Sequence, residues 1–578
     1  MTYKAAGPAT KLVYTTVPNT GTAGTAFSVT VQSQDANGNP ASPTSSTTIT
    51  LSRASGGGTL SGTLTGSIAT NASSATLATP VYSKSDTMTL MAMATTGETS
   101  LTAVTSGNIV FSPGALANYL VSAAPTIRGT SFTVTVTARD ANGNTVTTAT
   151  TPVTLTSSTV NVQFTGNPAT PSSGTFTISA LDNYFETVTL TATDTNSITG
   201  NTSVTINPLS GDYRSQANGG WSTAGTWQTW SGSAWTAASS APASATTNQI
   251  SVLSGNTVTV TTSVTAQNLN IASGGTVAIN STFTLTVNNG VANGVISGAG
   301  ILVESGTGNL LDLNGANTYT GGTVINSGGT VSINSDGNLG NTSGGITFNG
   351  GTLQTTGSSA ITTARTVTLG TGGGTVSLGV PLWFSGGITG GTGLTTGGND
   401  VILSRASGNN VIGAITVNSG RLFVFSGTNN IAGSTIAVQS GATLDFNITG
   451  GAAYVNATTF ASGSCLANRV GTLTVSTANV TFPTSGTMIF NQDDQVSTAI
   501  TVNGAYPVLT GPLTIQIGAI NATVGTVTLS GAISGSMALP RLPSARSSSV
   551  RPTLTPAAPW SVRAYSMPMW PAALAPVT

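Results

Sequence analysis

A short phrase, in which one or two glycines lead into alternating β-branched and aliphatic residues, recurs through the second half of this 578-residue chain. Copies begin at Ser254, Ser273, Ser327, Ser419 and Ser440. Neighbouring copies lie 19 residues apart (254 to 273) or 21 apart (419 to 440). A glycine turn that feeds a short strand about every 20 residues is typical of a coil in a parallel β-helix. The phrase therefore predicts a right-handed parallel β-helix, or solenoid, over residues 250–536.

Such a solenoid needs little charge, because aliphatic side chains fill its interior and Asn and Thr bond between coils at the corners. The chain has 15 Lys or Arg and 15 Asp or Glu, so its formal net charge is zero. Without a positive field, nucleic acid is not an expected partner. The chain also has no histidine, which removes the most common proton shuttle and transition-metal ligand. We therefore assign no metal and no cofactor.

A longer repeat occupies the first part of the chain. GTAFSVTVQSQDANGNP from Gly24 matches GTSFTVTVTARDANGNT from Gly129, a period of 105 residues. Apolar residues alternate in both copies, as in strands with one buried face, and about 100 residues is the size of one β-sandwich. The prediction is an all-β protein in which two tandem Ig-like β-sandwiches, residues 8–112 and 113–208, precede the solenoid.

The DANGN sequence shared by the two copies permits two interpretations. Its side-chain oxygens would suit calcium, and they belong to Asp35, Asn37 and Asn39 and to Asp140, Asn142 and Asn144. Each copy, however, holds one carboxylate and no distal bidentate Glu, so a plain hairpin turn is the preferred interpretation.

Residues 209–249 form a Trp-rich segment with Trp221, Trp227, Trp230 and Trp235 inside fifteen positions. Exposed, these indoles would form a platform on which sugars stack, and they are the candidate ligand-binding residues of the chain. Buried, they would cap the open end of the solenoid, which is the preferred interpretation because indoles bury large areas.

Three segments resemble parts of exported bacterial proteins. KLVYTTVP, GTAF and DANGN in the first sandwich resemble the Ig-like modules of surface proteins and invasin-type adhesins. The segment Leu310 to Ile333 is similar to the autotransporter-associated β-strand repeat, most specifically in GANTYTGGT from Gly315 to Thr323, and a looser copy follows from Val401. The Trp-rich segment is similar to stretches that precede β-helical regions in secreted proteins. These resemblances imply a bacterial cell-surface location and an outer-membrane anchor in a missing segment.

The two termini suggest that residues are missing or misread. MTYKAAG at the start lacks the apolar region of a signal peptide, which we expect to lie upstream. Residues 537–578 abruptly become rich in Arg and Pro. A one-base shift of RPTLTPAAPW, residues 551–560, permits codons for ANTYTGGTV, which also stands at 316–324. We therefore predict that 537–578 is a frameshifted, unstructured tail.

The solenoid region offers few residues for catalysis. Its carboxylates are Glu304, Asp312, Asp336, Asp400, Asp445, Asp493 and Asp494. Only Asp493 and Asp494 are adjacent, and neighbours on a strand point to opposite faces, whereas a glycosidase needs two acids facing one cleft. The arginines Arg365, Arg405, Arg421 and Arg469 have no acidic cluster nearby in sequence. Cys465 is the single cysteine, interpreted as a buried small residue.

The sequence as a whole favours a non-enzymatic, exported surface protein, an adhesin-like or autotransporter-passenger-like stalk that displays binding loops. Its expected partners are a host surface, a neighbouring cell or glycans. Two alternatives stay open: a glycan-binding module that uses the Trp cluster, and a non-catalytic part of a larger secreted carbohydrate-active enzyme.

Overall fold

The computed structural model describes residues 7–404 except 160. Beyond 404 it describes residues 410, 412–425, 431, 433–447, 453–454, 456–468, 472–490, 499–504, 509–510, 513–517, 526–529 and 560–563. The chain divides into two compact units, Met1–Leu209 and Ser210–Thr578. In the described residues, the only helical segments are two short 3-10 turns, Ala224–Thr226 and Asp336–Leu339.

The first unit begins with a β-sandwich of antiparallel and mixed strands. Its strands are β1 (Lys11–Thr16), β2 (Thr20–Thr22), β3 (Val29–Gln34), β4 (Thr47–Ser55), β5 (Leu60–Gly62), β6 (Thr65–Ile68), β7 (Ser74–Leu77), β8 (Pro80–Tyr82), β9 (Thr87–Thr96), β10 (Val104–Thr105) and β11 (Ile109–Ser112). The order β1-β3-β7 forms one sheet and β2-β11-β9-β4-β6 the other, with β10 on β9 and a separate β5-β8 pair. Alternate residues such as Val29, Val31 and Leu90 are fully buried between the sheets.

A second sandwich follows in the same unit. Its strands are β12 (Leu116–Ala123), β13 (Thr126–Ile127), β14 (Phe132–Asp140), β15 (Val153–Ser157), β16 (Gln163–Thr165), β17 (Thr175–Leu181), β18 (Glu186–Asp194) and β19 (Thr199–Asn207). They form the sheets β12-β14-β17-β16 and β13-β19-β18-β15. The alternation predicted from the sequence is present in β14, where Phe132, Val134 and Val136 all face the core.

The second unit opens with short strands: β20 (Tyr213–Ser215), β21 (Gly219–Gly220), β22 (Trp227–Trp230) and β23 (Trp235–Ala237). Strand β22 pairs antiparallel with β20 and β23. Strand β20 also pairs in parallel with Gln249–Val252, the first coil strand. The antiparallel ribbon therefore continues directly into the coils.

The coils contain short strands of three to nine residues for the most part. They are β24 (Gln249–Val252), β25 (Thr257–Val260), β26 (Val264–Ile271), β27 (Thr276–Ile279), β28 (Thr284–Ala292), β29 (Val295–Gly298), β30 (Ile301–Glu304), β31 (Leu310–Leu313), β32 (Thr323–Asn326), β33 (Thr330–Ile333), β34 (Ile346–Asn349), β35 (Thr352–Thr355), β36 (Ile361–Thr363), β37 (Val367–Leu369), β38 (Gly374–Leu378), β39 (Leu382–Phe384), β40 (Ile388–Thr389), β41 (Leu394–Gly398), β42 (Val401–Leu403), β43 (Ala414–Val417), β44 (Arg421–Val424), β45 (Thr435–Val438), β46 (Thr443–Phe446), β47 (Ala453–Tyr454), β48 (Thr458–Phe460), β49 (Ser464–Asn468), β50 (Thr472–Ser476), β51 (Val480–Thr481), β52 (Gly486–Phe490), β53 (Ala499–Asn503), β54 (Leu513–Ile517), β55 (Thr526–Leu529) and β56 (Trp560–Arg563).

Parallel ladders join each coil to the next. The longest ladder runs β24-β26-β28-β31-β33-β35-β38-β41-β43-β45-β48-β51, and its paired residues lie between 19 (Gln249 to Asn268) and 23 (Thr352 to Thr375) positions apart. A second ladder that carries candidate site residues runs β36-β39-β42-β44-β46-β49-β52-β54. The fold class is thus confirmed: an all-β chain with two sandwiches followed by a parallel β-solenoid.

Aliphatic side chains stack inside the coils in register. One interior stack consists of Ile250, Leu269, Gly290, Leu311, Val331, Leu353, Val376, Thr396, Val417, Val438 and Phe460. All but the glycine and Thr396 belong to one continuous hydrophobic core. Burial of this apolar stack between neighbouring rungs is what stabilises the solenoid.

Amide side chains bond from coil to coil, as the sequence predicts. Asn314 donates to Asn293 at 3.1 Å and Asn349 donates to Asn326 at 3.1 Å. Near the start of the solenoid, Asn288 donates to Gln267 at 2.6 Å. Asn293 and Asn314 directly follow strands, whereas Gln267 and Asn288 lie within β26 and β28, and each bond joins side-chain amides of neighbouring coils.

Within the predicted tail, the structure describes only β56, which pairs antiparallel with β55. The other residues of 537–578 lie outside the described residues. The frameshifted tail therefore stays a prediction.

Candidate functional site

The carboxylate of Asp35 closes the DANGN turn of the first sandwich. Its Oδ1 atom accepts the backbone N–H groups of Asn37 and Asn39, each at 2.9 Å. Its Oδ2 atom accepts the side-chain amide of Asn39 and the backbone N–H of Gly7, each at 3.0 Å. These four bonds, led by the Asn39 side chain, lower the pKa of Asp35 to about 2. Its oxygens are engaged by protein donors, as the hairpin-turn interpretation expects.

The second DANGN turn repeats this arrangement and adds a joint between the sandwiches. Asp140 accepts the N–H groups of Asn142 and Asn144 and, from the linker before its own sandwich, that of Gly114 at 2.8 Å. Asn144 then reaches into the first sandwich. Its Oδ1 atom accepts the backbone N–H of Ser85 at 2.9 Å, and its Nδ2 atom donates to the carbonyl of Ser83 at 2.9 Å.

Close packing accompanies these bonds. Gly24 of the first sandwich has a φ of 78°, and a Cβ atom there would overlap the side-chain amide of Asn142. Desolvation raises the pKa of Asp140, but hydrogen bonds from Asn144, Gly114 and Asn142 outweigh it and lower the pKa overall. The DANGN turn of the second sandwich is therefore a hydrogen-bonded lock between two modules.

The four tryptophans of the Trp-rich segment separate into a buried pair and a surface pair. Trp221 and Trp227 are 1% and 0% exposed and belong to the solenoid core. Their rings meet edge to face at 5.3 Å, and the indole N–H of Trp227 donates to the carbonyl of Trp221 at 2.8 Å. These two indoles pack the start of the solenoid and present no face to a ligand.

Trp230 and Trp235 remain partly exposed on the β22–β23 hairpin. Their rings meet at 5.3 Å, and the guanidinium carbon of Arg214 lies 4.4 Å from the centre of the Trp235 ring. Of the four tryptophans predicted to bind a ligand, only Trp230 and Trp235, with Arg214 stacked on Trp235, are exposed enough for a ligand to contact them.

The GANTYTGGT segment forms buried hydrogen bonds that join neighbouring coils. Tyr319 is fully buried, and a hydrogen bond of 2.6 Å joins its hydroxyl to that of Thr323. Buried Asn317 accepts the N–H of Ile296 at 2.7 Å and donates to the carbonyl of Asn338 at 2.6 Å, which ties together three successive coils. Burial raises the pKa of Tyr319. The residues of this motif hold coils together rather than contact a ligand.

Arg365 binds the loop that follows Asn334 to a neighbouring coil. Its side chain is fully buried and forms an ion pair with Asp336 at 2.9 Å. It also donates to the carbonyls of Asp336, Gly340, Asn341 and Gly344. A planar guanidinium with five donors suits this fork of acceptors, which a lysine would not satisfy.

Arg421 has no acidic cluster nearby in sequence, but the fold brings two carboxylates to it from neighbouring coils. Its guanidinium lies 3.2 Å from Asp400 Oδ2 and 3.2 Å from Asp445 Oδ2. The three residues are 21 and 24 positions apart, close to one coil, so stacking brings them together. The coil spacing is the signal in the sequence that points to them, but the register of the ladder decides that these side chains meet. Asp445 is fully buried, and desolvation raises its pKa to about 7 against the opposing effect of Arg421.

Glu304 is a second buried acid, which faces the solenoid interior between Val287 and Ile325 of the adjoining rungs. It is 0% exposed, and in the described part of the chain neither carboxylate oxygen has a hydrogen-bond partner. Desolvation raises its pKa to about 8, an effect that the nearby N–H of Thr330 only partly offsets. Asp493 and Asp494, the adjacent acids, lie outside the described residues.

Three other features concern the cysteine, metal binding and membrane-spanning helices. Cys465 is buried. Searching the described ranges finds no group of three or more His, Cys, Asp or Glu side chains placed to hold a metal ion. No helix in the same residues has the length and apolar character to span a membrane.

Solved structures that are similar to this chain come from adhesins and from glycosidases. InvE, an adhesin of Yersinia pseudotuberculosis, is 19% identical over 34% of this chain and 58% of its own, with a TM-score of 0.16. The Escherichia coli adhesin FdeC is 18% identical over 36% and 69%, with a TM-score of 0.22. A β-glucuronidase of Parabacteroides merdae is 12% identical over 34% and 24%, with a TM-score of 0.15.

These matches cover about a third of the chain, and the chain spans only 58% of the InvE structure. No protein-family model and no curated protein sequence matches the chain. The resemblance of Leu310–Ile333 to autotransporter-associated repeats accordingly rests on its own residues.

Proposed function

We propose that this chain is a non-enzymatic, exported bacterial surface protein of adhesin type. The observation that carries the proposal is the pair of bonds from Asn144 to the backbone of Ser83 and Ser85, which locks two Ig-like modules together. A protein whose modules moved independently on flexible linkers would need no hydrogen bonds between them. A surface protein that transmits force between its anchor and its ligand does.

The solenoid supports the same proposal by its construction. In the described coils each rung pairs in parallel with the rungs before and after it, and the interior is mainly aliphatic, with aromatic rings such as Phe348 and Phe446. Its outer positions carry mainly neutral Thr, Asn and Gly, as in one row across four rungs that consists of Thr416, Ala437, Thr459 and Thr481. Neutral hydroxyl surfaces suit weak contacts that gain strength when many copies bind together.

Attachment of coated beads to cells would test this function. Polystyrene beads carrying the purified chain should adhere to epithelial cells or to bacterial cells in greater numbers than beads carrying serum albumin. Soluble protein should compete for attachment. Equal attachment of both bead types to every cell tested would contradict the proposal.

The location can be tested separately in the source cell. An antibody to the purified chain should label intact cells, and added protease should remove that label without lysis. A signal confined to lysed cells would contradict export.

The non-enzymatic part of the proposal rests on Asp400 and Asp445, two acids that the described coils bring together. Asp400 and Asp445 both pair with Arg421, so the guanidinium fills the space between them where a substrate bond would have to lie. Incubation with neutral and acidic polysaccharides should release no reducing or unsaturated ends. Release that Asp445→Asn abolishes would overturn this part and would favour a carbohydrate-active enzyme.

A second candidate function is glycan binding at the Trp230–Trp235 hairpin. The observation that favours it is the partly exposed ring pair with Arg214 stacked on Trp235. Aromatic faces beside a cation are able to bind the apolar face of a sugar and to donate to its hydroxyls.

A further inference from the structure

The outer face of the β39-β42-β44-β46 sheet carries a run of large side chains in register. Trp383 pairs with Ile402, Ile402 with Phe423, and Phe423 with Asp445. The residues on either side of each of these, such as Leu422 and Val424, face the core. The run therefore lies on the side of the sheet away from the core, where Ile402, Phe423 and Asp445 are nevertheless buried, and it crosses four rungs, a span of about 14 Å at the usual strand spacing.

An aromatic cluster consists of Trp383 and Phe423 from this run and of Phe425, which directly follows β44. Phe425 meets Trp383 at 5.8 Å and Phe423 at 5.3 Å, both edge to face. Phe423 is 6% exposed, whereas Phe425 is 40% exposed and is among the most exposed large apolar side chains in the described residues. The buried ring thus supports an exposed one, which gives the cluster a rigid apolar surface.

The ionic trio described above borders these rings on the same face. Arg421 and Phe423 are two positions apart on β44, so both point outward. Asp445 neighbours Phe423 on the next rung, and Asp400 lies just before β42 on the preceding one. Arg421 and Asp400 keep 24% and 30% of their side chains exposed. An apolar ring surface is therefore bordered by fixed donors and acceptors.

We propose that Phe425, Trp383, Arg421 and Asp400 form a binding site for the pyranose rings of a neutral glycan. A pyranose has an apolar face, which matches the exposed rings, and a border of hydroxyls, which matches an adjoining row of carboxylate and guanidinium groups. Binding sites for small ligands generally combine an apolar surface with a few fixed polar groups in this way. The proposal rests on the adhesin-type function above and names its ligand class.

Charge selects a neutral glycan over an acidic one. The Asp400 carboxylate already balances the charge of the Arg421 guanidinium, so the trio has no net positive charge that would attract a carboxylated sugar. Arg421, the cation that would bind a uronate, is already held between Asp400 and Asp445. Like charges brought together at a partly buried site cost binding energy, so polyuronates are disfavoured.

Titration calorimetry on the full chain would test the site. The probes are cellohexaose, laminarihexaose, mannohexaose and chitohexaose as neutral glycans, and hexagalacturonate as the acidic one. At least one neutral hexasaccharide should bind with a Kd below about 1 mM, and hexagalacturonate at least about tenfold more weakly. Phe425→Ala should weaken the neutral ligand by roughly five- to tenfold, the usual loss for one aromatic contact.

Two further variants separate the site from the fold. Asp400→Asn removes the charge at a partly exposed position and should weaken neutral-glycan binding while relieving the rejection of hexagalacturonate. Leu310→Ala, which alters a residue 41% exposed on another ladder, should leave binding unchanged. Unaltered thermal unfolding of Phe425→Ala would show that its loss of binding is local.

Three results would overturn the site: no binding by any neutral hexasaccharide, full binding by Phe425→Ala, or hexagalacturonate binding as tightly as the neutral probes. Bead attachment to cells tests the adhesin-type function by itself, so a failure of sugar binding and a failure of adhesion are read from different assays.

Discussion

Asn144 of the second sandwich accepts the backbone N–H of Ser85 in the first sandwich at 2.9 Å, 59 positions earlier in the chain. The corresponding residue of the first sandwich, Asn39, bonds to Asp35 of its own turn, just as Asn144 bonds to Asp140. The two asparagines thus differ in the bonds that Asn144 makes across the joint, and they form a natural pair of test and control.

Asn144→Ala should weaken the joint more than Asn39→Ala weakens its own turn. Two hydrogen bonds across the joint are lost only in the first variant, which predicts an additional destabilisation of about 1–3 kcal/mol. Hydrogen exchange at the Ser85 amide measures the effect locally, and denaturant unfolding measures it globally. Equal exchange at Ser85 in the two variants would show that the joint does not depend on Asn144.

Replacement of the buried tryptophan should cost much more stability than replacement of the surface tryptophan. Trp227→Ala empties a site in the solenoid core and should cost about 3–5 kcal/mol of stability. Trp235→Ala removes a partly exposed ring and with it the stacking contact of Arg214, and a cost of about 1 kcal/mol is expected. Any sugar that this hairpin binds should give a signal on a glycan array with the unchanged chain and a weaker signal with Trp235→Ala, whose fold is expected to stay intact. Thermal unfolding of the two variants checks the difference.

Glu304 should make the stability of the solenoid fall as pH rises. Its folded pKa, raised to about 8 by burial, exceeds the ordinary value of 4.5, so the folded state holds a proton that the unfolded state releases. The stabilisation is complete below about pH 4.5 and is lost towards pH 8, by at most about 1.4 kcal/mol per pH unit. Glu304→Gln, which stays neutral, should lack this slope. Denaturant unfolding of both proteins from pH 4 to 9 tests it, and parallel curves would disprove it.

Gly315→Ala should destabilise the coil that carries the GANTYTGGT segment. A Cβ atom at Gly315 would overlap the backbone carbonyl of Gly294 on the preceding coil, and such overpacking costs about 1–3 kcal/mol. Gly391→Ala is the matched control, since its Cβ would meet no atom within 4 Å. Similar stability of the two variants would contradict the close approach of these coils.

The fold was largely predictable because its strongest signals are local and periodic. The 105-residue repeat and the alternation in β14 predict sandwiches, and the glycine phrase predicts coils, since both depend on spacings that the chain displays openly. The stacked amides such as Asn314 and Asn293 follow from the same spacing.

The ionic trio was harder to predict because coil lengths vary. Arg421 meets Asp400 across 21 positions and Asp445 across 24, and only the register of the ladder decides which side chains meet. Tyr454 bonds to Thr458 as Tyr319 bonds to Thr323, yet the residues between them share too little for the sequence to reveal the pair. The division of the tryptophans also depends on strand faces that a Gly- and Ser-rich segment does not show.

Each rung of the solenoid pairs only with its immediate neighbours, which has a consequence for how such a chain can change. Duplicating or deleting one whole coil would change the partners of the bordering rungs and would leave the other pairings as they are. Gene rearrangements could therefore lengthen or shorten the solenoid in steps of about 20 residues without redesign of the interior of the remaining coils.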